Sequence, residues 1–490
     1  MWCRFLWAWT AFTVSFVSAT PPSSAHSLEE SVASLSPTAQ IYYPGSQGYA
    51  NATLRWGAGQ TPQYDIIVKV ATEADVQETI LYANANNKSF HAISGGHAIT
   101  VYLNNVEHAV GILMRGMKDI SITERGDTAL VGGGILNSEV LDYLWAHGKQ
   151  TMTTACACVG YISPILGGGH GWNQGRYGLA ADQLVSAHMV LANGTAITVG
   201  EDSNPDLFWA IRGAGHNFGI VTQAEIKIYD REPSLDNWTV DVLSFTHDKM
   251  ESVVNIVNTW LGSPNRSVEL EHYIMFYFDP KIDTTNPVVV VFVIYQGTSI
   301  PTQYTEPLYA LSPATSTSGQ ADLAGVSRFT GADRTGASCE KGLTRSVVPV
   351  SATTYDPASL RQVLTIMASL PPSLNQTVVL LEGYATNRVG AIPSDSTAYP
   401  DREGQLLLSP FMTYERNESL DAEAWEVAGR IRDVMAEGTG EARRAYVNYA
   451  RGDETVEELY GPEAWRLEKL RKLKREYDPF GRFNFFAPIV

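Results

Sequence analysis

With 490 residues, 35 basic against 52 acidic side chains and a formal charge of -17, the chain is long enough for two or more domain cores. It lacks the concentrated positive field that binding to phosphate backbones needs, which excludes nucleic acid as a partner. Hydrophobic residues make up 44% of the chain, ample for sizeable buried cores.

The opening segment, residues 1–19, carries one arginine, an apolar run and a small-residue end at Val17-Ser18-Ala19, the pattern of a cleaved secretory signal. The run is shorter than the roughly 20 apolar residues of a spanning helix, and no comparable stretch follows, so no membrane span is expected after cleavage. The mature chain is then a secreted one starting near Thr20. Seven N-x-S/T sequons, at Asn51, Asn87, Asn193, Asn237, Asn265, Asn375 and Asn417, fit that route and predict N-glycans. Loss of Cys3 with the signal leaves Cys156, Cys158 and Cys339, an odd number for an oxidising compartment. One of the three is therefore committed to something other than a disulfide. No cysteine pair has zinc-ligand spacing, and no metal site is expected.

Residues 20–40, rich in Ser, Pro and Ala, read as an exposed leader. From 41 to 230, strand-length apolar runs (from Asp65, Ala129, Ser186 and Ile220) alternate with a helical pattern beginning at Glu73, which predicts a mixed domain with glycine-rich turns. From 231 to 439, the segments HYIMFYF, PVVVVFVIYQG and TVVLLEGYA alternate with helical stretches such as the one from Leu360, the composition of a sheet covered by helices on one face. Ser312 to Ser318 reads as a Ser/Thr-rich loop. In residues 440–490, Leu467, Leu470, Leu473 and Tyr477 share one helical face, and Pro479 stops that helix.

Several glycine-rich constellations carry the chemistry. In Ser94-Gly95-Gly96-His97 the two glycines permit close backbone approach to a flat anionic ligand and set an imidazole beside it. Cys156-Ala157-Cys158-Val159-Gly160 places a thiol nucleophile before Gly160. The runs Gly167-Gly168-Gly169-His170-Gly171 and Arg212-Gly213-Ala214-Gly215-His216-Asn217-Phe218-Gly219, the latter leading into Ile220 and Val221, lack dinucleotide-fingerprint spacing, which disfavours a nicotinamide enzyme. His170 and His216 read as polar loop residues. In Tyr446-Val447-Asn448-Tyr449 a phenol precedes an amide by two positions. In the strand from Val378, alternation sets Glu382 and Tyr384 on the same side as Val378 and Leu380, and an acid in so apolar a strand is costly to bury unless paired or functional.

Together these segments resemble the berberine-bridge-enzyme-like oxidases of the vanillyl-alcohol-oxidase and p-cresol-methylhydroxylase (PCMH) superfamily, in their fungal secondary-metabolite form. The resemblance spans roughly residues 40 to 490. It implies an α+β, two-domain PCMH-type FAD-binding fold: an FAD-binding domain over 41–230, a substrate-binding domain of antiparallel sheet covered by helices over 231–439, and a segment over 440–490 that returns to the FAD-binding domain. It further implies FAD bound covalently, through His97 at the flavin 8α carbon and through Cys156 at carbon 6. Ser94, Gly95, Gly96, Gly160, Gly167, Gly168, Gly169, Gly171, Gly219, Ile220, Val221, Tyr446 and Asn448 would line the cofactor. Two departures stand out, since Ile93 replaces the family's arginine before Ser-Gly-Gly-His, and Ser163-Pro164 replaces a common Gly-His. Cys158 and Cys339 then remain, and a bridge between them needs Cα atoms within about 7 Å, a separation that chain position does not set.

The implied activity is oxidation of a small organic substrate, a secondary-metabolite intermediate, by hydride transfer to the flavin, with O2 as acceptor and hydrogen peroxide as product. Tyr446 is the expected base. A free phenol, with a pKa of about 10, needs a neighbour for that role, and Glu382 is the candidate. The alternatives are a carbohydrate oxidase and a flavin-scaffolded cyclase or binding protein without net oxidation.

Overall fold

The computed structural model describes residues 34–403 and 405–490. The expected signal and most of the leader lie outside the described residues. Among the described residues three large sheets organise the fold, beside a two-stranded one of Lys149–Gln150 and Tyr229–Asp230. In the first, strands Tyr64–Lys69, Ala109–Leu113 and Phe90–Ile93 run parallel, with Gln40–Tyr42 antiparallel at the edge. Parallel neighbours require a crossover, supplied here by the helix Glu73–Ala85. A reciprocal capping box between Thr72 and Asp75 starts that helix, and Val76, Ile80 and Ala83 bury one side of it.

The second sheet is antiparallel, in the order Ile120–Ile122, Thr128–Gly132, Ile220–Lys227, Leu184–Val190, Ala196–Gly200. Its core also takes in Val447, Leu459, Leu467, Leu470 and Leu473, so the chain's closing segment packs on this early sheet. The helix Ala464–Tyr477 carries the last three of these leucines.

The third and largest sheet is wholly antiparallel. Its order is Thr315–Ala321, Trp238–Phe245, Val288–Gln296, Leu270–Tyr277, Val378–Gly383, Leu406–Tyr414, Thr344–Val347, with Val350–Ala352 also pairing with Leu406–Tyr414. Because side chains alternate along each strand, the sheet has two different faces. Ile274, Phe276, Val289, Val291, Val379 and Leu381 lie under the helices Met250–Leu261, Pro357–Ala368 and Glu418–Thr439. Tyr273, Met275, Val290, Phe292, Leu380 and Leu407 form the opposite face with Trp172, Tyr399 and Tyr446. The fold is thus mixed α and β, with helices on one face of an antiparallel sheet and an interior cavity against the other.

One segment departs from the sequence reading. Residues 315–321 form the edge strand of the third sheet, where a Ser/Thr-rich loop is expected. Most of its side chains are exposed, so its place in the sheet is held by backbone pairing with Trp238–Phe245, and no apolar alternation marks it.

Candidate active site

A cavity of about 860 Å³ lies between the first two sheets and the open face of the third. Along one wall run Ser94, Gly95, Gly96 and His97, just beyond the strand Phe90–Ile93. Opposite stand Tyr273, Met275, Leu380, Glu382 and Tyr384 from the third sheet, with Tyr446, Asn448 and Tyr449 from the closing segment.

The loop 94–97 packs on the loop 158–160. A Cβ at Gly95 would sit 2.9 Å from the Cys158 carbonyl oxygen, and one at Gly160 2.4 Å from Ser94 Oγ. Only glycines allow this approach. His97 stacks on Trp56, with ring centroids 5.5 Å apart, and the Arg345 guanidinium lies over the Trp56 ring, 4.6 Å from its centroid. Burial, followed by the charges of Lys341, Arg345 and Arg55, lowers the His97 pKa to about 3. The imidazole is therefore neutral at working pH and keeps its nucleophilic lone pair. His97 Nε2, Ser94 Oγ and Arg55 Nε are buried without partners in the protein. Orphaned donors and an imidazole in one cavity wall fit an anionic cofactor with an aromatic ring system.

Cys156 borders the cavity and is the free cysteine among the described residues, while Cys158 and Cys339 form a disulfide with Cα atoms 5.9 Å apart. Burial pushes the Cys156 thiol up to about 11, against the backbone N–H groups of Cys158 and Val159, which favour the thiolate. The thiolate is the minor form in this pocket until something stabilises it.

Gly219, Ile220 and Val221 line the cavity, as do Leu166 and His170, and beside these two lies the run Gly167, Gly168, Gly169 and Gly171, expected at the cofactor. They are filled against by protein. A Cβ at Gly167 would meet Asn448 Oδ1 at 2.2 Å, and one at Gly171 the Thr153 carbonyl oxygen at 2.1 Å, while Gly168 and Gly169 press on Tyr399 and Ala180. His170 and His216 are held neutral by burial, each with a pKa lowered to about 4. His170 bonds Gln174 Oε1 and Tyr399 Oη at 2.9 and 2.8 Å, and His216 bonds Asn448 Oδ1 at 3.0 Å. Both position neighbours of the site.

The phenol of Tyr446 accepts from Asn448 Nδ2 at 2.7 Å and from the Gly169 N–H at 3.1 Å. With two donors aimed at its oxygen, its own proton is free for the cavity. Glu382 does not contact it, which corrects the expectation that Glu382 stabilises the Tyr446 phenolate. The negative charge of Glu382 acts the other way, and with burial as the main cause Tyr446 is pushed up to about 12. Glu382 is instead clamped by Tyr384 Oη on Oε1 at 2.7 Å and by Tyr449 Oη on Oε2 at 3.1 Å. Since the Tyr384 proton is committed to the carboxylate, Tyr273, paired opposite Glu382 in the sheet, donates to Tyr384. Burial raises the Glu382 pKa, and the phenol hydrogen bonds oppose that rise.

Tyr449 is the functional side chain that sequence reasoning missed. It lies three residues after Tyr446 across a single 3-10 turn, Val447–Tyr449, where side chains three apart share a side. That spacing was its only local signal. Tyr273 and Trp56 had none, because sheet register and loop packing bring them in.

Comparison with known proteins agrees with this architecture. The family model for an FAD binding domain matches residues 64–200, and the one for berberine and berberine-like proteins matches residues 445–489. The FAD-linked oxidoreductase chyH of Penicillium rubens is 37% identical, with 93% of this chain and 92% of that protein aligned. Among solved structures, Physcomitrella patens BBE-like 1 superposes with a TM-score of 0.80 at 22% identity, over 94% of this chain and 98% of that one. Glucooligosaccharide oxidase from Acremonium strictum, described with a 6-S-cysteinyl, 8α-N1-histidyl FAD, gives 0.76 at 20% identity, over 92% and 96%. The glycine-lined cavity, its orphaned donors and these matches lead to one assignment: the chain belongs to the berberine-bridge-enzyme-like family of FAD-linked oxidoreductases.

Proposed function

We propose that this enzyme is a secreted oxidase of a small, largely apolar organic alcohol or phenol, with FAD held by two covalent bonds. The observation that carries the reading is one cavity with a neutral His97 and the free Cys156 on one side, and a chain of phenols ending on a buried carboxylate on the other. Bound FAD supplies a two-electron acceptor that takes a hydride from substrate carbon and hands the electrons to O2 as hydrogen peroxide. His97 would hold it at the 8α carbon and Cys156 at carbon 6, the attachment named for the glucooligosaccharide oxidase. Neutrality of His97 and its unpartnered Nε2 support that role.

Acid–base work falls to Glu382. Tyr446, raised to about 12, enters as a hydroxyl and orients a substrate oxygen through its free proton. Glu382, as carboxylate, draws the substrate's proton, directly or through Tyr449, while Tyr273 and Tyr384 hold the carboxylate in place.

The sheet wall separates the substrate classes. Met275, Phe292, Val378, Leu380 and Phe411 face the cavity. Both Glu382 oxygens are engaged, and Arg345 donates to the carbonyls of Trp56 and Glu340. Against these five apolar side chains a sugar hydroxyl finds no partner, at about 1–3 kcal/mol each, and only the flanking Tyr277, Gln376 and Thr413 offer one. An apolar substrate with one hydroxyl at the reacting carbon has no such cost. The test is anaerobic bleaching of the flavin by a panel of polyketides, terpenoids and oligosaccharides. Apolar alcohols should bleach it and sugars should not; bleaching by sugars alone refutes the substrate class, and an oxidised spectrum with every compound refutes the oxidase reading in favour of a flavin-scaffolded cyclase or binding protein.

A further inference from the structure

The disulfide Cys158–Cys339 has a third sulfur against it. Cys156 Sγ lies 3.6 Å from Cys158 Sγ and 4.0 Å from Cys339 Sγ, so a free thiol touches both ends of the bridge. Two of the sulfurs sit on one loop of the cavity wall, and the third sits on the turn Ala337–Cys339, which leads into the third sheet. The Ala157 N–H also donates to the Ala332 carbonyl at 2.9 Å, which holds the two loops in register.

We propose that the three cysteines form a thiol–disulfide exchange unit, in which the bridge migrates among the sulfurs until flavin attachment at Cys156 fixes it as Cys158–Cys339. The flavin part of this statement rests on the double attachment proposed above; the exchange does not. Cys156, on losing its proton and turning from its side-on contact into line with the bridge, attacks one sulfur of it. The Cys158–Cys339 bond breaks as the new bond forms, and the expelled thiolate takes up a proton. Electrons balance within the three sulfurs, with no oxidant consumed. Attack on Cys339 keeps the two loops joined and frees Cys158. Attack on Cys158 frees Cys339 and unfastens the loops. In both isomers Cys156 is blocked as a flavin ligand, so the position of the bridge decides between one flavin bond and two.

The surroundings set the rate. Burial keeps Cys156 mostly protonated, and Glu382 and the nearby Tyr449 disfavour further negative charge, whereas the N–H groups of Cys158 and Val159 favour it. Exchange is therefore slow near neutrality and rises roughly tenfold per pH unit as the thiolate fraction grows.

The test is non-reducing peptide mapping of the full chain after acid quenching and alkylation of free thiols. Wild type should show a Cys158–Cys339 disulfide with flavin on Cys156. The Cys158→Ser variant, given glutathione disulfide as the oxidant because it has no bridge of its own, should close a Cys156–Cys339 disulfide, which shows that Cys156 reaches Cys339, with flavin on His97 alone. Flavin on Cys156 in that variant, or Cys156 and Cys339 both alkylated as free thiols, overturns the proposal. A measurement on wild type covers failure of the variant to fold. Protein produced under riboflavin depletion is held at about pH 7 and about pH 9 before quenching, and Cys156 should enter disulfides at both, sooner at the higher pH. Complete alkylation of Cys156 at both overturns the exchange. A wild-type map with Cys156 free of flavin, beside Cys156 found in disulfides in the riboflavin-depleted wild type, supports the exchange and refutes the double attachment.

Discussion

His97 shows how a residue can be legible in sequence while its activation is not. The two glycines before it announce a close approach, but its neutrality comes from burial and from Lys341, Arg345 and Arg55, two of which are remote in the chain. Replacing His97 by Ala should leave Cys156 as the sole tether, found as flavin on the Cys156 peptide alone, with a lower flavin redox potential; flavin wholly released by acid from wild type would contradict the attachment. Glu382 is different, since strand alternation showed which way it points but only sheet register supplied Tyr273 and only a 3-10 turn supplied Tyr449. Its raised pKa means that the carboxylate appears at higher pH than in an ordinary glutamate, so flavin reduction should rise with pH through that displaced value and fall below it. Glu382→Gln should remove this limb and slow reduction by about 100-fold. The sign for stability runs with the acid form: what the buried carboxyl contributes is present at low pH and lost as pH rises through the folded value, so the Gln variant should melt no lower than wild type near neutrality. Tyr446→Phe should slow reduction by roughly 10- to 100-fold without loss of bound flavin, as read by stopped-flow absorbance.

Neighbouring positions on one strand separate function from stability. In Val378–Gly383, Leu381 faces the helices and is fully buried, whereas Leu380 faces the cavity. Leu381→Ala should cost about 2–4 kcal/mol, seen as a lowered thermal midpoint, because it opens a hole in a packed core. Leu380→Asn should leave the midpoint nearly unchanged and weaken binding of apolar substrates in a flavin-perturbation titration. Equal melting losses in both variants would argue against the two-faced reading of this sheet. Period-two alternation made such strands readable from sequence. The edge strand Thr315–Ala321 was not, since a strand with most side chains in water has no apolar rhythm to betray it. In the glycine run 167–171 the protein groups that come close are Asn448, Tyr399, Ala180 and Thr153, none of which the sequence pattern names.

Across the molecule, all seven sequon asparagines are exposed, so every one is open to a glycan. Treatment of the protein with an N-glycosidase should increase its gel mobility, and an unchanged band would argue against passage through the secretory pathway. The Cys158–Cys339 bridge spans 181 positions, a loop whose closure is worth up to about 5 kcal/mol in the chain-entropy account. The meeting of the chain's parts could not be read from composition, because the cavity is built from segments hundreds of positions apart. Asn217 illustrates this. It accepts from the Ile489 N–H and donates to Tyr460 Oη, both at 3.0 Å, and its carbonyl receives Lys474 Nζ at the same distance. Seen as an order of events on the ribosome, this docking is a delay: the wall holding Tyr446, Asn448 and Tyr449 is synthesised long after His97, and until it folds back, His97 faces an open cleft. Closure of the cofactor site thus waits on translation of the segment that carries Tyr446 and Ile489, so a truncated product that lacks it would leave the ribosome without a finished flavin site, however well its earlier sheets had folded.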